Sequence, residues 1–159
     1  MIITTSRKPS NRTRSFCQSL SRALNSKYIN RGKMSMRNVL LKTVELEYSN
    51  LLIISEEKGN PNTLTFYNNK GEPLITLEVS VALKNIRTNI NHKKLSVICQ
   101  IEELKDLIPI LDLPEETNGS DSNLLMIKKH DDKKAIIEFI DDKGHQTNPI
   151  IYIHDWSIG

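Results

Sequence analysis

Two stretches of this 159-residue chain repeat one another at a fixed distance. Displaced by 73 positions, SNLLII at 49–54 falls on SNLLMI at 122–127, Phe66 falls on Phe139, and Lys70-Gly71 falls on Lys143-Gly144. From 49 to 71 this makes eight identities in 23 ungapped pairs. After a three-residue insertion, PLITL at 73–77 meets PIIYI at 149–153. Apolar strand sequence repeats easily by chance, but here the turn residues match as well, which favours a strand–hairpin unit used twice. Such a chain is committed to a sheet built from hairpins, and its length suits one domain or two small, tightly joined halves.

Between and around the repeats, strands alternate with helices. Ile2–Thr5 reads as a short buried strand. Pro9-Ser10-Asn11 follows as a turn and helix cap, with Ser10 or Asn11 accepting from a first-turn amide. From Arg12 onward Phe16, Leu20, Ala23 and Leu24 recur at helical spacing, while Arg12, Ser15, Ser19 and Arg22 lie on another face. Residues 26–30 read as a second strand, 31–35 as a loop, and Ser35 as the cap of a second helix running to about Leu46. Strands are expected at 50–54, 63–67 and 73–81, with turns at Gly59-Asn60-Pro61 and at 68–71. Further on come a strand at 95–100 and a helical stripe of Ile101, Leu104, Leu107 and Ile108 closed by Pro109. A polar loop at 114–123 and strands at 123–128, 134–140 and 149–153 complete the pattern. The fold class is α/β, one domain over 1–159, with a basic amino-terminal half at 1–90 and an acidic carboxyl-terminal half at 91–159.

The net charge of +3 conceals a sharp division. Residues 1–44 hold ten cations (Arg7, Lys8, Arg12, Arg14, Arg22, Lys27, Arg31, Lys33, Arg37 and Lys42) and no Asp or Glu. The other 115 residues therefore carry 12 cations against all 19 acids, a balance of −7. One region of the chain builds a surface for a polyanion, and the rest does not.

Several function classes find no support. No apolar run approaches the roughly 18 residues of a membrane span, and residues 1–38 lack the apolar stretch of a signal peptide. Cys17 and Cys99 stand apart in apolar patterns and read as buried thiols of a reducing cytoplasm. No phosphate-binding glycine motif, HExxH or paired CxxC occurs, and no cofactor is called for. The Asp and His residues at His130–Asp132, Asp141-Asp142 and His154-Asp155 would make a metal site only if the hairpin ends converged; as turn formers they need none. Trp156 reads as an anchor of the last strand.

The basic region has a chemical logic of its own. A Ser/Thr-rich turn entering a helix offers unpaired amides and the positive end of the helix dipole, a seat for phosphate. Thr5, Ser6, Arg7, Lys8 and Ser10 precede that helix end, and Arg12 and Arg14 lie in its first turns. The loop at 30–37 repeats the device: Gly32 permits close approach, Arg31 and Lys33 flank it, and Ser35 opens the next helix, with Arg37 two residues on. In a parallel arrangement both loops leave the carboxyl ends of neighbouring strands and form one surface. Arginine suits it, because its planar fork binds phosphate bidentately and stacks on bases.

The blocks IITTSRKPSNRTRSFCQSL at 2–20 and YINRGKMSMRNVL at 28–40 closely resemble the amino-terminal signature of the Brix-domain family, in particular its single-domain archaeal members. The resemblance implies two similar α/β halves, each akin to the anticodon-binding domain of class IIa aminoacyl-tRNA synthetases. It implies a non-enzymatic protein that binds ribosomal RNA during ribosome assembly. Thr5, Ser6, Arg7, Pro9 and Ser10 match the first block, and Arg31, Gly32 and Lys33 the second. NPIIYIHDW at 148–156 lacks the Gly-Pro-Arg expected near the family's carboxyl end, so RNA contacts are not carried over to the second half. Other expected partners are ribosomal proteins or assembly factors, with the acidic half as a dock for a basic one. Two rival functions stay open: a metal-dependent ribonuclease using the Asp/His turns, and a tRNA-binding accessory module.

Overall fold

A computed structural model describes residues 1–84, 94–116 and 123–159. The expected boundary at 90/91, His92 and the middle of the polar loop at 114–123 lie outside these residues.

Among the described residues nine strands form one sheet, in the order β2-β1-β3-β4-β5-β9-β8-β7-β6. β1 (Ile2–Thr5) leads into α1 (Asn11–Leu24), β2 (Lys27–Tyr28) and α2 (Met36–Glu45). β3 (Asn50–Glu57), β4 (Asn60–Asn68) and β5 (Pro73–Ala82) make an antiparallel meander. β6 (Ser96–Cys99) is followed by a 3-10 turn (Glu102–Leu104) and α3 (Leu107–Leu111). β7 (Leu124–Lys128), β8 (Ala135–Ile140) and β9 (Gln146–Ile158) make a second meander. β1 runs parallel to β2 and β3, β6 runs parallel to β7, and β5 pairs antiparallel with β9 at the seam.

The pairing register follows the sequence repeat. Leu52 faces Phe66 and, 73 residues on, Leu125 faces Phe139. Ile3 pairs with Leu52 as Val97 pairs with Leu125. The correspondence of 73–77 with 149–153 is not reproduced. Pro73 faces Tyr67, whose counterpart Ile140 faces Gln146, and Pro149 lies in an irregularity of β9 between Thr147 and Ile151.

Strand alternation sends Ile3, Leu52, Leu64 and Leu77, with Val97, Leu125, Ile137 and Ile151, to one face. There they meet Phe16, Leu20 and Leu24 of α1 and Leu104 and Leu107 in a cluster common to both halves. Phe16 and Phe139 are fully buried, each contributing about 1.5–3 kcal/mol by removal from water. On the other face α2 lays Val39 over Ile2, Leu51 and Ile53.

Several local expectations need correction. Pro109 does not close a helix; it sits in the first turn of α3, where its missing N–H has no intrahelical partner to lose. The tight turn between β3 and β4 is Lys58-Gly59, both left-handed at φ +51° and +78°, so Asn60 and Pro61 belong to β4. The segment at 26–30 contributes only two strand residues. The polar loop begins by joining the sheet edge: Val97 donates to Pro114 O at 2.9 Å, and Glu116 donates to Val97 O at 2.9 Å.

Candidate nucleic-acid interface

Because β1 and β2 are parallel, the loops that leave them emerge at the same edge of the sheet. The first loop turns at Lys8, which adopts a left-handed φ of +57°, and Pro9 then delivers Ser10 as the cap of α1. Ser10 Oγ accepts from the Thr13 amide at 3.2 Å.

This helix end is not an open anion seat. Glu56, near the end of β3, reaches it with its carboxylate, which accepts from the Ser10 amide at 3.0 Å. The Ser10 hydroxyl lies 2.9 Å from Glu56 Oε2 and 2.7 Å from Gly59 O, and the Thr13 hydroxyl donates to the same carboxylate. These bonds from Thr13 and then Ser10 hold the Glu56 carboxyl below the usual carboxylate range. A carboxylate of the protein itself stands where the sequence suggested a phosphate. Nothing local announces it, because the partners lie 46 residues apart.

The second loop is closed by Arg31. Its Nε donates to Met34 O at 2.8 Å across its own turn, and its Nη1 donates to Thr5 O at 2.9 Å at the end of β1. With 9% exposure, Arg31 is a clamp between the loops rather than a free hook for phosphate. Burial, and then the nearby charge of Arg7, lower its pKa from the ordinary arginine value. Gly32 follows at φ +53°, with nothing within 4 Å of where a Cβ would stand.

The clamp leaves a cleft of about 390 Å³ between the loops. Lys8, Pro9 and Arg14 form one wall; Tyr28, Asn30, Arg31 and Gly32 form the other. Tyr28 and Asn30 were not among the sequence candidates, and the only signal for them is their place beside Arg31.

The remaining candidates divide by position. Thr5 is fully buried and Ser6 continues the sheet by donating to Ile54 O at 3.0 Å, so both shape the loop. Arg7, Lys33 and Arg37 are exposed on or beside the two loops. Arg12 faces away from the cleft, its Nη2 donating to Val81 O at 3.4 Å. Arg22 lies in the last turn of α1, about 15 Å along the helix from Arg12. Lys27 and Lys42 are also exposed, so nine of the ten cations in residues 1–44 face solvent. None of the ten forms an ion pair among the described residues.

The Asp/His turns do not converge on a metal cluster among the described residues. Asp141 accepts from the amides of Lys143 and His145 in its own turn, Asp155 pairs with Lys134 at 2.7 Å, and His154 Nε2 lies 3.0 Å from Ser80 Oγ. Burial pushes the Cys17 thiol up to about 12, as in a packed core thiol. Trp156 pairs opposite Leu77, and the Lys134 ammonium stands 4.1 Å from its ring centre.

Fold and site together define a mixed α/β protein in which two cation-rich loops leave the same edge of the sheet. No protein-family model matches the chain. A probable Brix domain-containing ribosomal biogenesis protein of Methanothermobacter thermautotrophicus is 31% identical over 159 residues, spanning 100% of this chain and 99% of that protein. A protein of the same description from Archaeoglobus fulgidus is 47% identical over 85 residues, 54% of this chain and 50% of that one. The crystal structure of Mil, an archaeal Imp4-like protein, superposes with a TM-score of 0.83 at 30% identity over 100% of both chains. A probable ribosomal biogenesis protein from Aeropyrum pernix shares the fold, with a TM-score of 0.77 at 20% identity over 97% of this chain and 94% of that one. The chain belongs to the Brix-domain family.

Proposed function

We propose that this chain is an archaeal, cytoplasmic ribosome-assembly factor that binds precursor or mature ribosomal RNA through its cationic face and aids RNA folding and processing without catalysis. The observation that carries this reading is the set of nine exposed cations in residues 1–44 with no ion pair among the described residues. A surface of this kind draws its affinity from phosphates and counterion release and its selectivity from RNA shape. The naming of its relatives as ribosomal biogenesis proteins makes ribosomal RNA the polyanion of choice. Ribosomal proteins and other assembly factors are its further partners.

The same reading includes a duplicated ancestral unit akin to the synthetase anticodon-binding domain. The shared 73-residue register of Leu52–Phe66 and Leu125–Phe139 supports the duplication.

The test is RNA affinity by fluorescence anisotropy across a salt series. Arg7→Glu with Lys33→Glu weakens binding and flattens the slope of log affinity against log salt by about 2, one for each lost phosphate contact. An unchanged slope overturns the assigned surface. RNA cleavage with added magnesium that disappears in Asp141→Ala overturns the non-catalytic reading.

A further inference from the structure

We propose that the cleft between the two basic loops is a subsite for one unpaired nucleotide of an RNA strand. The inference rests on the RNA-binding reading above and narrows it to a particular feature of the RNA.

Size comes first. At about 390 Å³ the cleft lies at the lower end of small-ligand sites, which run to roughly 300–1,000 Å³. It exceeds what a phosphate group needs, and it cannot admit a base that remains stacked in a helix. The chemistry of the walls agrees. A site for phosphate alone is built from amides and cations, and at the start of α1 the Ser10 amide already donates to Glu56 and the Thr13 amide to Ser10 Oγ. What remains is mixed: the Lys8 and Arg14 side chains as cations, the Tyr28 and Pro9 rings as flat apolar surface, and the Asn30 side chain as donor and acceptor together. These are complements of the three parts of a nucleotide. The phosphate goes to Lys8 and Arg14, the base lies against Tyr28 and Pro9, and a base edge is read by the exposed Asn30 amide.

The cleft is also held open in advance. Arg31 ties the second loop to Thr5 O, Glu56 ties the first loop to β3, and Gly32 leaves free space at the second loop. Little ordering of the walls is needed when a nucleotide enters. Since a paired base cannot turn into the cleft without leaving its helix, the subsite selects bulges and loops over continuous duplex.

Two labelled RNA hairpins decide the matter, identical except that one stem carries a single unpaired adenosine. At one salt concentration the protein binds the bulged hairpin about tenfold more tightly, the effect of one base–aromatic stack. Tyr28→Ala removes that preference and leaves affinity for the paired stem and its salt slope unchanged. Asn30→Trp fills the cleft from an exposed position and does the same, which covers the case in which loss of the half-buried tyrosine unfolds the chain. Equal affinity of the native protein for both hairpins overturns the subsite, as does a preference that survives both variants. Failure to bind either hairpin overturns the RNA-binding reading itself, which equal binding leaves standing. Free 5′-AMP competes at millimolar concentration, and only against the bulged hairpin. Micromolar binding of 5′-AMP alone assigns the cleft to a free nucleotide and overturns the RNA assignment.

Discussion

A guanidinium that donates to Thr5 O and to Met34 O from two different nitrogens cannot be replaced by an ammonium, which has no fork to span them. Arg31→Lys therefore leaves a buried acceptor unsatisfied and destabilises the protein by about 1–3 kcal/mol, read as a fall in the midpoint of urea unfolding. Lys33→Ala, two residues on and exposed, leaves that midpoint within about 0.5 kcal/mol of the native value. Glu56 makes the same region sensitive to acid. Its folded-state pKa lies below the ordinary value because Thr13 and Ser10 donate to the ionised form. Its contribution is therefore complete above the usual glutamate range near pH 4.3 and is lost as pH falls through the folded-state value. Glu56→Gln is less stable at neutral pH by about 1 kcal/mol, and its melting temperature changes less between pH 5 and pH 3 than that of the native protein, as thermal scans by circular dichroism will show.

At the level of elements, what depended on neighbouring residues was legible before any coordinates. Ser10 and Ser35 cap α1 and α2 as their positions suggested, and the stripe from Phe16 to Leu24 is the buried face of α1. What depended on distant partners was not legible. A left-handed pair at Lys58-Gly59 placed the hairpin turn at 58–59 and left Asn60 and Pro61 to β4, and Pro109 entered α3 because the first turn tolerates it. The candidate site divides along the same line. Exposed Arg7, Lys8, Arg14 and Lys33 stand where a basic loop puts them, whereas the inward turn of Arg31 and the arrival of Glu56 follow from tertiary register. Ser10 joins both levels, since it caps its helix and receives Glu56. Ser10→Ala therefore costs more than the roughly 1 kcal/mol of a simple cap, because Glu56 loses its hydroxyl neighbour as well, and comparison with Ser35→Ala by urea denaturation isolates the difference.

Among the described residues the strands form one sheet whose larger core cluster is shared along its length, joined where eight residues of β5 pair with β9. Trp156 of β9 lies opposite Leu77 of β5, so its fluorescence reports on the seam. Thermal unfolding followed by Trp156 emission and by far-ultraviolet circular dichroism gives coincident curves with one midpoint; separate midpoints would mean that the halves melt independently. A last consequence follows from where the charges fall along this sheet. The loops that carry most of the ten cations leave the carboxyl ends of β1 and β2, while the segment 101–116, with six acids against Lys105 alone, sets Asp112 beside Met1 at the opposite end of β1. The molecule is therefore an electric dipole, and in the field of a nucleic acid it experiences a torque before it makes a contact. It arrives already rotated, loops forward and the acidic 101–116 segment trailing, so that fewer encounters are wasted on the wrong face. Stopped-flow association slows steeply as ionic strength shortens the reach of that field, by a larger factor than dissociation quickens.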